Sequence, residues 1–145
     1  SFQKADLTGA NLSHTNLSAS NLRDANLLDA DLQKANLKNA SLQGANLTQV
    51  NLQGADLTSA SLQDANLSGT DLQKAKLSSA NLAGANLSGA DLRGVDLCGA
   101  DLRGVKNITV KQLTQAIVDM RTRLPEGITF KQIEKYKADV ISESL

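Results

Sequence analysis

Three residue types on which many folds depend are nearly missing from this chain of 145 residues. It contains one cysteine, one proline and three aromatic residues, and no tryptophan. With Cys98 alone, neither an intrachain disulfide framework nor a cysteine-based metal site can form. An ordinary globular core of this size holds many more aromatic side chains. The sequence therefore disfavours a conventional globular interior and excludes a disulfide-rich scaffold.

Net charge and long apolar runs are also missing. Fifteen lysines and arginines balance fifteen acidic residues, so no overall field indicates a nucleic-acid or membrane partner. No apolar run approaches the roughly 18–20 residues that a membrane helix needs. Disorder is a poor explanation as well, because 41% of the residues are hydrophobic and the charges form no blocks.

What the sequence does contain is a repeat of five residues. Leucine occupies every fifth position from Leu7 to Leu102, and Phe2 falls in the same phase, which makes 21 units. On a helix, at about 100° per residue, these leucines would scatter around the axis, and on a continuous strand they would alternate between faces. Each unit must therefore contain its own change of direction. The period predicts a solenoid with leucines inside and turns at the polar or glycine pair after each leucine, where nine of the ten glycines fall.

The runs ADLTG-ANLSH, ADLTS and ANLSG-ADLRG resemble the pentapeptide-repeat family, whose pattern A(D/N)LXX has leucine at its centre. The resemblance covers about residues 1–105. It implies an all-β solenoid, a right-handed quadrilateral β-helix with four units and 20 residues per coil. Twenty-one units then make about five coils, with a length of about 24 Å at the ordinary spacing between strands.

A coil of 20 residues stacks residues that are 20 positions apart, so the surface is predicted to consist of columns. One column contains Gln33, Gln53 and Gln73 and ends at Arg93, and a second contains Gln43 and Gln63, whose amides can hydrogen-bond along the column. These columns are either stabilising ladders or a face for a ligand.

Charged positions are predicted to stack in the same way. Lys76 should lie between Asp56 and Asp96 in a charge ladder contributing about 0–1 kcal/mol per exposed pair. Asp71 and Asp91 should stack as like charges, which is far short of a calcium site.

No enzymatic site is predicted. His14 falls at an outward turn with no nucleophile or acid arranged around it, and Cys98 is expected to be an outward spectator thiol. A leucine-filled rod offers no cleft in which titratable groups converge. The sequence therefore predicts no catalytic residue, no cofactor and no metal.

After Val105 the repeat stops, which predicts two domains: a β-helix over residues 1–105 and a two-helix cap over residues 106–145. Thr109 with Gln112 and Thr129 with Gln132 read as capping boxes that open the two helices. The predicted apolar face of the first is Val110, Leu113, Ile117 and Met120; that of the second is Phe130, Ile133, Tyr136 or Val140, and Ile141. The hairpin is expected to cover the last coil, or else to bind a partner or a second copy.

The favoured function is a non-catalytic scaffold or protein–protein interaction module with an unknown protein partner, as a monomer or a weak dimer through one solenoid end. The alternative is a DNA mimic that inhibits or protects a type II topoisomerase. Residues 1–105 carry eight basic and ten acidic side chains, against the roughly 14 negative charges of an equally long duplex. Ser1 begins inside a repeat; a processed terminus would indicate the thylakoid lumen or periplasm, and otherwise the cytoplasm is expected.

Overall fold

A computed structural model describes residues 1–145 as a four-walled β-solenoid followed by two helices. From residue 6 to residue 106, each wall residue forms a parallel bridge with the residue 20 positions later. Four columns of bridges begin at Asp6, Asn11, Asn16 and Asn21, so that one coil has four walls and 20 residues. Each wall carries one paired residue between two turns, which is why the coils contain isolated bridges instead of extended strands. The predicted four-sided solenoid is confirmed.

Backbone hydrogen bonds join each coil to the next through every wall. Leu27 N–H donates to the carbonyl of Asn46 at 2.8 Å, and Asn46 N–H donates back to the carbonyl of Ala25 at 2.9 Å. Within the unit, Ala30 N–H donates to the carbonyl of Leu27 at 2.9 Å and closes the turn. The second residue after each leucine is left-handed, as Asp29 is with φ of 58°. Type II turns require this geometry at their third residue, and glycine adopts it without steric cost.

The Asn or Asp that precedes each leucine has a specific structural role. Its Oδ1 accepts a hydrogen bond from the backbone N–H two residues later, as Asn46 does from Thr48 at 3.1 Å. Every Asn and Asp in this position between Asp6 and Asp101 makes this Asx turn. The bond satisfies the one N–H of the unit that no backbone carbonyl reaches. The wall residues that lack it are Ser41, Ser61 and Lys76.

The core is a stack of leucines with small residues between them. The central leucines of the repeat units from Leu22 to Leu102 are 0–1% exposed, and each buried leucine stabilises the fold by about 1.5–3 kcal/mol. Alanine fills most of the small positions because the chain turns tightly beside each leucine. In the first coil Leu7, Leu12 and Leu17 are only partly buried.

Two helices follow the solenoid, α1 at Val110–Gln115 and α2 at Phe130–Ser144. Both predicted capping boxes are present. The predicted extension of the first helix through Ile117 and Met120 is wrong. Helix α1 ends at Gln115, Ile117 lies in a β-bridge with Asp96, and the Met120 side chain is 94% exposed.

Ile117 leaves the helical pattern because the last coil offers it better partners. Leu97 N–H donates to the carbonyl of Ile117, and Ile117 N–H donates to the carbonyl of Val95, both at 2.8 Å. Arg123 pairs with Asp101 on the next wall in the same way. Bridge pairing thus continues past the end of the repeat, and the division into domains at residue 105 stays a prediction.

Candidate interaction surface

The corner columns are the most regular feature of the outer surface. In the first glutamine column, Gln33 Nε2 donates to Gln53 Oε1 at 3.2 Å, as the ladder predicts. Gln53 Nε2 then donates to Asp71 Oδ2 at 2.9 Å and not to Gln73, whose own amide also turns to Asp71. The ladder therefore runs for one step and ends on a carboxylate. A depression of about 330 Å³ along this corner is lined entirely by polar side chains and Gly54.

The second glutamine column behaves differently. Gln43 and Gln63 form no amide ladder, and the Oε1 atoms of both are buried without a hydrogen-bond donor. Both follow wall serines, Ser41 and Ser61, that make no Asx turn. The buried polar atoms of this corner therefore have fewer hydrogen bonds than those of the opposite corner.

The predicted charge ladder at Lys76 is wrong in its side chains, although its register is right. The backbone of Lys76 bridges to Asp56 below and to Asp96 above. Its ammonium forms no ion pair within 4.0 Å; Lys38 Nζ pairs with Asp56 at 3.4 Å instead. An exposed pair gains too little in water to order a long lysine chain along the wall. The evidence for the 20-residue coil is therefore the backbone bridges and not a ladder of side-chain ion pairs.

The stacked aspartates on the neighbouring wall are compensated individually. Asp71 accepts from glutamine amides, and Asp91 forms a two-pronged pair with Arg93, whose Nε and Nη2 donate to it at 2.5–3.1 Å. The Arg93 hydrogen bonds lower the pKa of the Asp91 carboxyl. Asp91 is thus paired with a cation, whereas Asp71 keeps its charge and is hydrogen-bonded by neutral amides.

The chain has one histidine and one cysteine, and neither belongs to an ion pair. His14 occupies an exposed left-handed turn position with φ of 59°. Cys98 is half-buried, and burial, followed by the nearby Asp96 carboxylate, raises the pKa of its thiol. A raised pKa leaves the less reactive thiol form at neutral pH.

Gln112 is a structural residue whose second role sequence reasoning missed. Its Oε1 accepts from Thr109 N–H at 2.9 Å, as a capping box requires. Its Nε2 also donates to the carbonyls of Leu87 and Ala90 at 2.9 and 3.0 Å, on the wall where the bridges stop at Asp91. The side chain therefore supplies a hydrogen-bond donor where no further coil follows. Only the fold brings these residues together, since 22 to 25 positions separate them.

Asp119 and Thr122 replace coil contacts at the next corner. Asp119 Oδ1 accepts from Gly99 N–H at 3.0 Å, and the Thr122 hydroxyl donates to the carbonyl of Leu97 at 2.9 Å. Arg121 lowers the pKa of Asp119 by hydrogen bonding to its carboxylate. Leu113, Ala116 and Ile133 join the leucine core from above. They form one buried cluster with it, so the helix pair packs on the last coil.

The largest apolar depression lies between the two helices. Its volume is about 360 Å³, and it is lined by Lys111, Thr114, Gln115, Tyr136, Lys137, Val140 and Ile141; we call it the α1–α2 groove. Nowhere in the chain do three or more His, Cys, Asp or Glu side chains converge as a metal site requires. No helix is both long enough and apolar enough to span a bilayer.

Comparison with known proteins agrees with this architecture. A family model described as pentapeptide repeats matches eight copies over residues 1–39, 35–73 and 65–104. No curated protein has a matching sequence. A solved pentapeptide repeat protein from the Arabidopsis thaliana thylakoid lumen is 33% identical, with a TM-score of 0.54, and the match covers 61% of this chain and 65% of that one.

Two cyanobacterial proteins of known structure are also similar in sequence. HetL from Nostoc sp. strain PCC 7120, a pentapeptide repeat protein involved in heterocyst differentiation regulation, is 35% identical; the match covers 87% of this chain and 64% of HetL, with a TM-score of 0.28. A pentapeptide repeat protein from Cyanothece 51142 is 32% identical, over 82% of this chain and 90% of that one, with a TM-score of 0.30.

The chain thus spans less than two thirds of the first two proteins, at 65% and 64% of their lengths. Pentapeptide repeat proteins fold as right-handed quadrilateral β-helices, and the four columns of bridges fit that fold. The family model covers more than half of the sequence, and the 20-residue coil carries its leucine, alanine and Asn/Asp positions. The chain belongs to the pentapeptide-repeat family.

Proposed function

We propose that the protein is a non-catalytic scaffold that binds a partner protein through its outer surface. Pentapeptide repeat proteins are generally structural or interaction proteins. The observation that carries the proposal is the filled interior: leucines 0–1% exposed leave no room inside the coils for a substrate. Recognition must then use the outer walls, the corners or the cap.

The corners are suited to this role because each presents a different set of side chains. Lys34, Asp29, Ser59 and Asp64 occupy equivalent exposed turn positions on the four corners. The backbone beneath them is held by the same ladder on every wall, so side chains can vary without changing the frame. A repeat scaffold of this kind offers an extended surface for protein contacts.

The scaffold is favoured over a DNA mimic on the grounds of charge. The ten aspartates of residues 1–105 are opposed by eight lysines and arginines. Several of those aspartates are paired, as Asp56 is with Lys38 and Asp91 and Asp101 are with Arg93 and Arg103. A surface that imitates duplex DNA needs dense, unpaired negative charge.

Site-specific photocrosslinking tests the proposal. A photoreactive residue is placed singly at Asp29, Lys34, Ser59 and Asp64, and the full chain is irradiated in its native cells. We expect a discrete crosslinked protein from one or two corners, competed away by excess unlabelled chain. Crosslinking that is equal at all four corners, or absent from all four, contradicts a specific partner on the solenoid.

A further inference from the structure

The two helices of the cap differ greatly in length. Helix α1 has six residues, about 9 Å, whereas α2 has fifteen, about 22 Å. They pack together near Ile133, which is 1% exposed. The last turns of α2 therefore extend past the end of α1.

This overhang uncovers one face of α2 progressively. Lys137 and Ile141 follow Ile133 at intervals of four along α2, and Leu145 comes directly after the last residue of the helix. Ile141 is 63% exposed and Leu145 is fully exposed, and Val140 beside them is 45% exposed. Neighbouring exposed apolar side chains of this kind are a feature of interaction surfaces.

The side chains that line the α1–α2 groove carry charge of one sign only. Its lining contains Lys111 and Lys137 and no carboxylate. Lys111 has no ion-pair partner within 4.0 Å, and Lys137 has only a long, exposed contact of 3.9 Å with Glu134. The groove is therefore an apolar floor of Val140 and Ile141 between two available ammonium groups.

We propose that the α1–α2 groove binds a short acidic amphipathic segment of a partner protein. Apolar side chains of that segment would pack on Val140 and Ile141, and its carboxylates would pair with Lys111 and Lys137. The assignment rests on the proposed interaction function and names its binding surface. A membrane surface fits less well, because a broad anionic surface would also meet the three carboxylates of α2, whereas a short segment confined to the groove meets only its two lysines.

Fluorescence anisotropy with two synthetic probes tests the assignment on the full chain. The acidic probe is a labelled helix of about twelve residues with leucines spaced three and four apart and glutamate elsewhere, and the basic probe has lysine for every glutamate. We expect the acidic probe to bind and the basic probe not to bind. Lys111→Glu with Lys137→Glu should weaken binding at least about tenfold, and Ile141→Asp should abolish it.

A charge-matched control separates the groove from overall electrostatics. Lys4→Glu with Lys76→Glu makes the same change in net charge at two exposed positions of the solenoid and should leave binding of the acidic probe unchanged. Circular dichroism verifies that each variant keeps its helices and its thermal midpoint.

Three results would overturn the proposal: equal loss of binding in both double variants, no binding of the acidic probe, or saturable binding to vesicles of phosphatidylcholine with phosphatidylserine that depends on Ile141. A concentration-dependent dimer lost in Ile141→Asp would assign the groove to a second copy instead. Crosslinking at the solenoid corners is a separate readout, so the scaffold function can stand when the groove assignment fails.

Discussion

The solenoid and the cap use side chains in different ways to satisfy backbone groups. In the solenoid, a turn N–H is bonded by the Asn or Asp two residues earlier, and this contact recurs from Asp6 to Asp101. In the cap, the last coil is completed by single contacts from Gln112, Asp119 and Thr122. The repeat distributes its stability over many similar contacts, and the cap concentrates its own in a few side chains.

This difference explains why the repeat tolerates departures from its pattern. Ser41, Ser61 and Lys76 each remove one Asx turn, yet the bridges above and below them remain intact. A lost contact in the cap has no equivalent neighbour. Substitutions in the two regions should therefore differ in cost even when they remove the same kind of bond.

The largest effect is expected from a charge in the solenoid core. Leu47 is 1% exposed in the middle of its column, and Leu47→Asp would bury a carboxylate without a partner. We expect loss of the cooperative fold, a cost above about 4 kcal/mol. Leu47→Ala should cost about 2–5 kcal/mol and leave a folded chain. Thermal unfolding followed by circular dichroism measures both, and an unchanged midpoint in Leu47→Asp contradicts the inward position of the leucines.

The second effect compares two capping boxes that differ in one respect. Gln112→Glu keeps the acceptor for Thr109 but loses both bonds to the solenoid carbonyls and places a carboxylate beside them, at a cost of about 1–3 kcal/mol. Gln132→Glu keeps the bond to Thr129 N–H and loses no solenoid contact, so its cost should be below about 0.5 kcal/mol. Urea unfolding measures the pair. Equal costs would show that Gln112 acts only as a helix cap.

A reciprocal exchange in the repeat tests the Asx turns. Asn51→Ser removes the bond to Gln53 N–H and should destabilise by about 1 kcal/mol, whereas Ser61→Asn supplies the missing bond to Gln63 N–H and should stabilise by a similar amount. The two variants are measured by the same unfolding experiment. If both destabilise, the Asn preference has another origin.

The smallest effect is expected on acidification. Arginine hydrogen bonds lower the pKa values of Asp91 and Asp101 below 3.8 in the folded state. Their stabilisation is therefore complete above the unfolded value and is lost as the pH falls through the lowered folded values. The thermal midpoint should stay level between neutral pH and about pH 5 and decline below about pH 4. In Asp91→Asn with Asp101→Asn the decline should be shallower; a decline that begins near neutral pH points to other groups.

The sequence predicted the solenoid well because its information is local and repeated. The five-residue period requires a turn in every unit. Because the same pattern recurs in many units, a departure in one of them does not change the predicted fold. The side-chain contacts of Lys76 could not be predicted in the same way, because an exposed lysine has many conformers of nearly equal energy. The Asx turns could have been predicted from the positions of Asn and Asp, because the side chains of these residues commonly bond the backbone two residues later.

The cap shows the limit of such reasoning. The starts of both helices are indicated by local capping boxes at Thr109 and Thr129. The end of α1 at Gln115 has no such local signal, because Val110, Leu113, Ile117 and Met120 fit one helical face. Ile117 instead forms a bridge with the backbone groups of Val95 and Leu97, which lie about twenty residues earlier in the sequence. The sequence by itself determined the five-residue units, their turns and the start of each helix, since these depend on neighbouring residues. The tertiary structure alone decided how the last coil is closed and where α2 leaves an apolar groove, because those outcomes depend on backbone groups that meet only after the chain has wound.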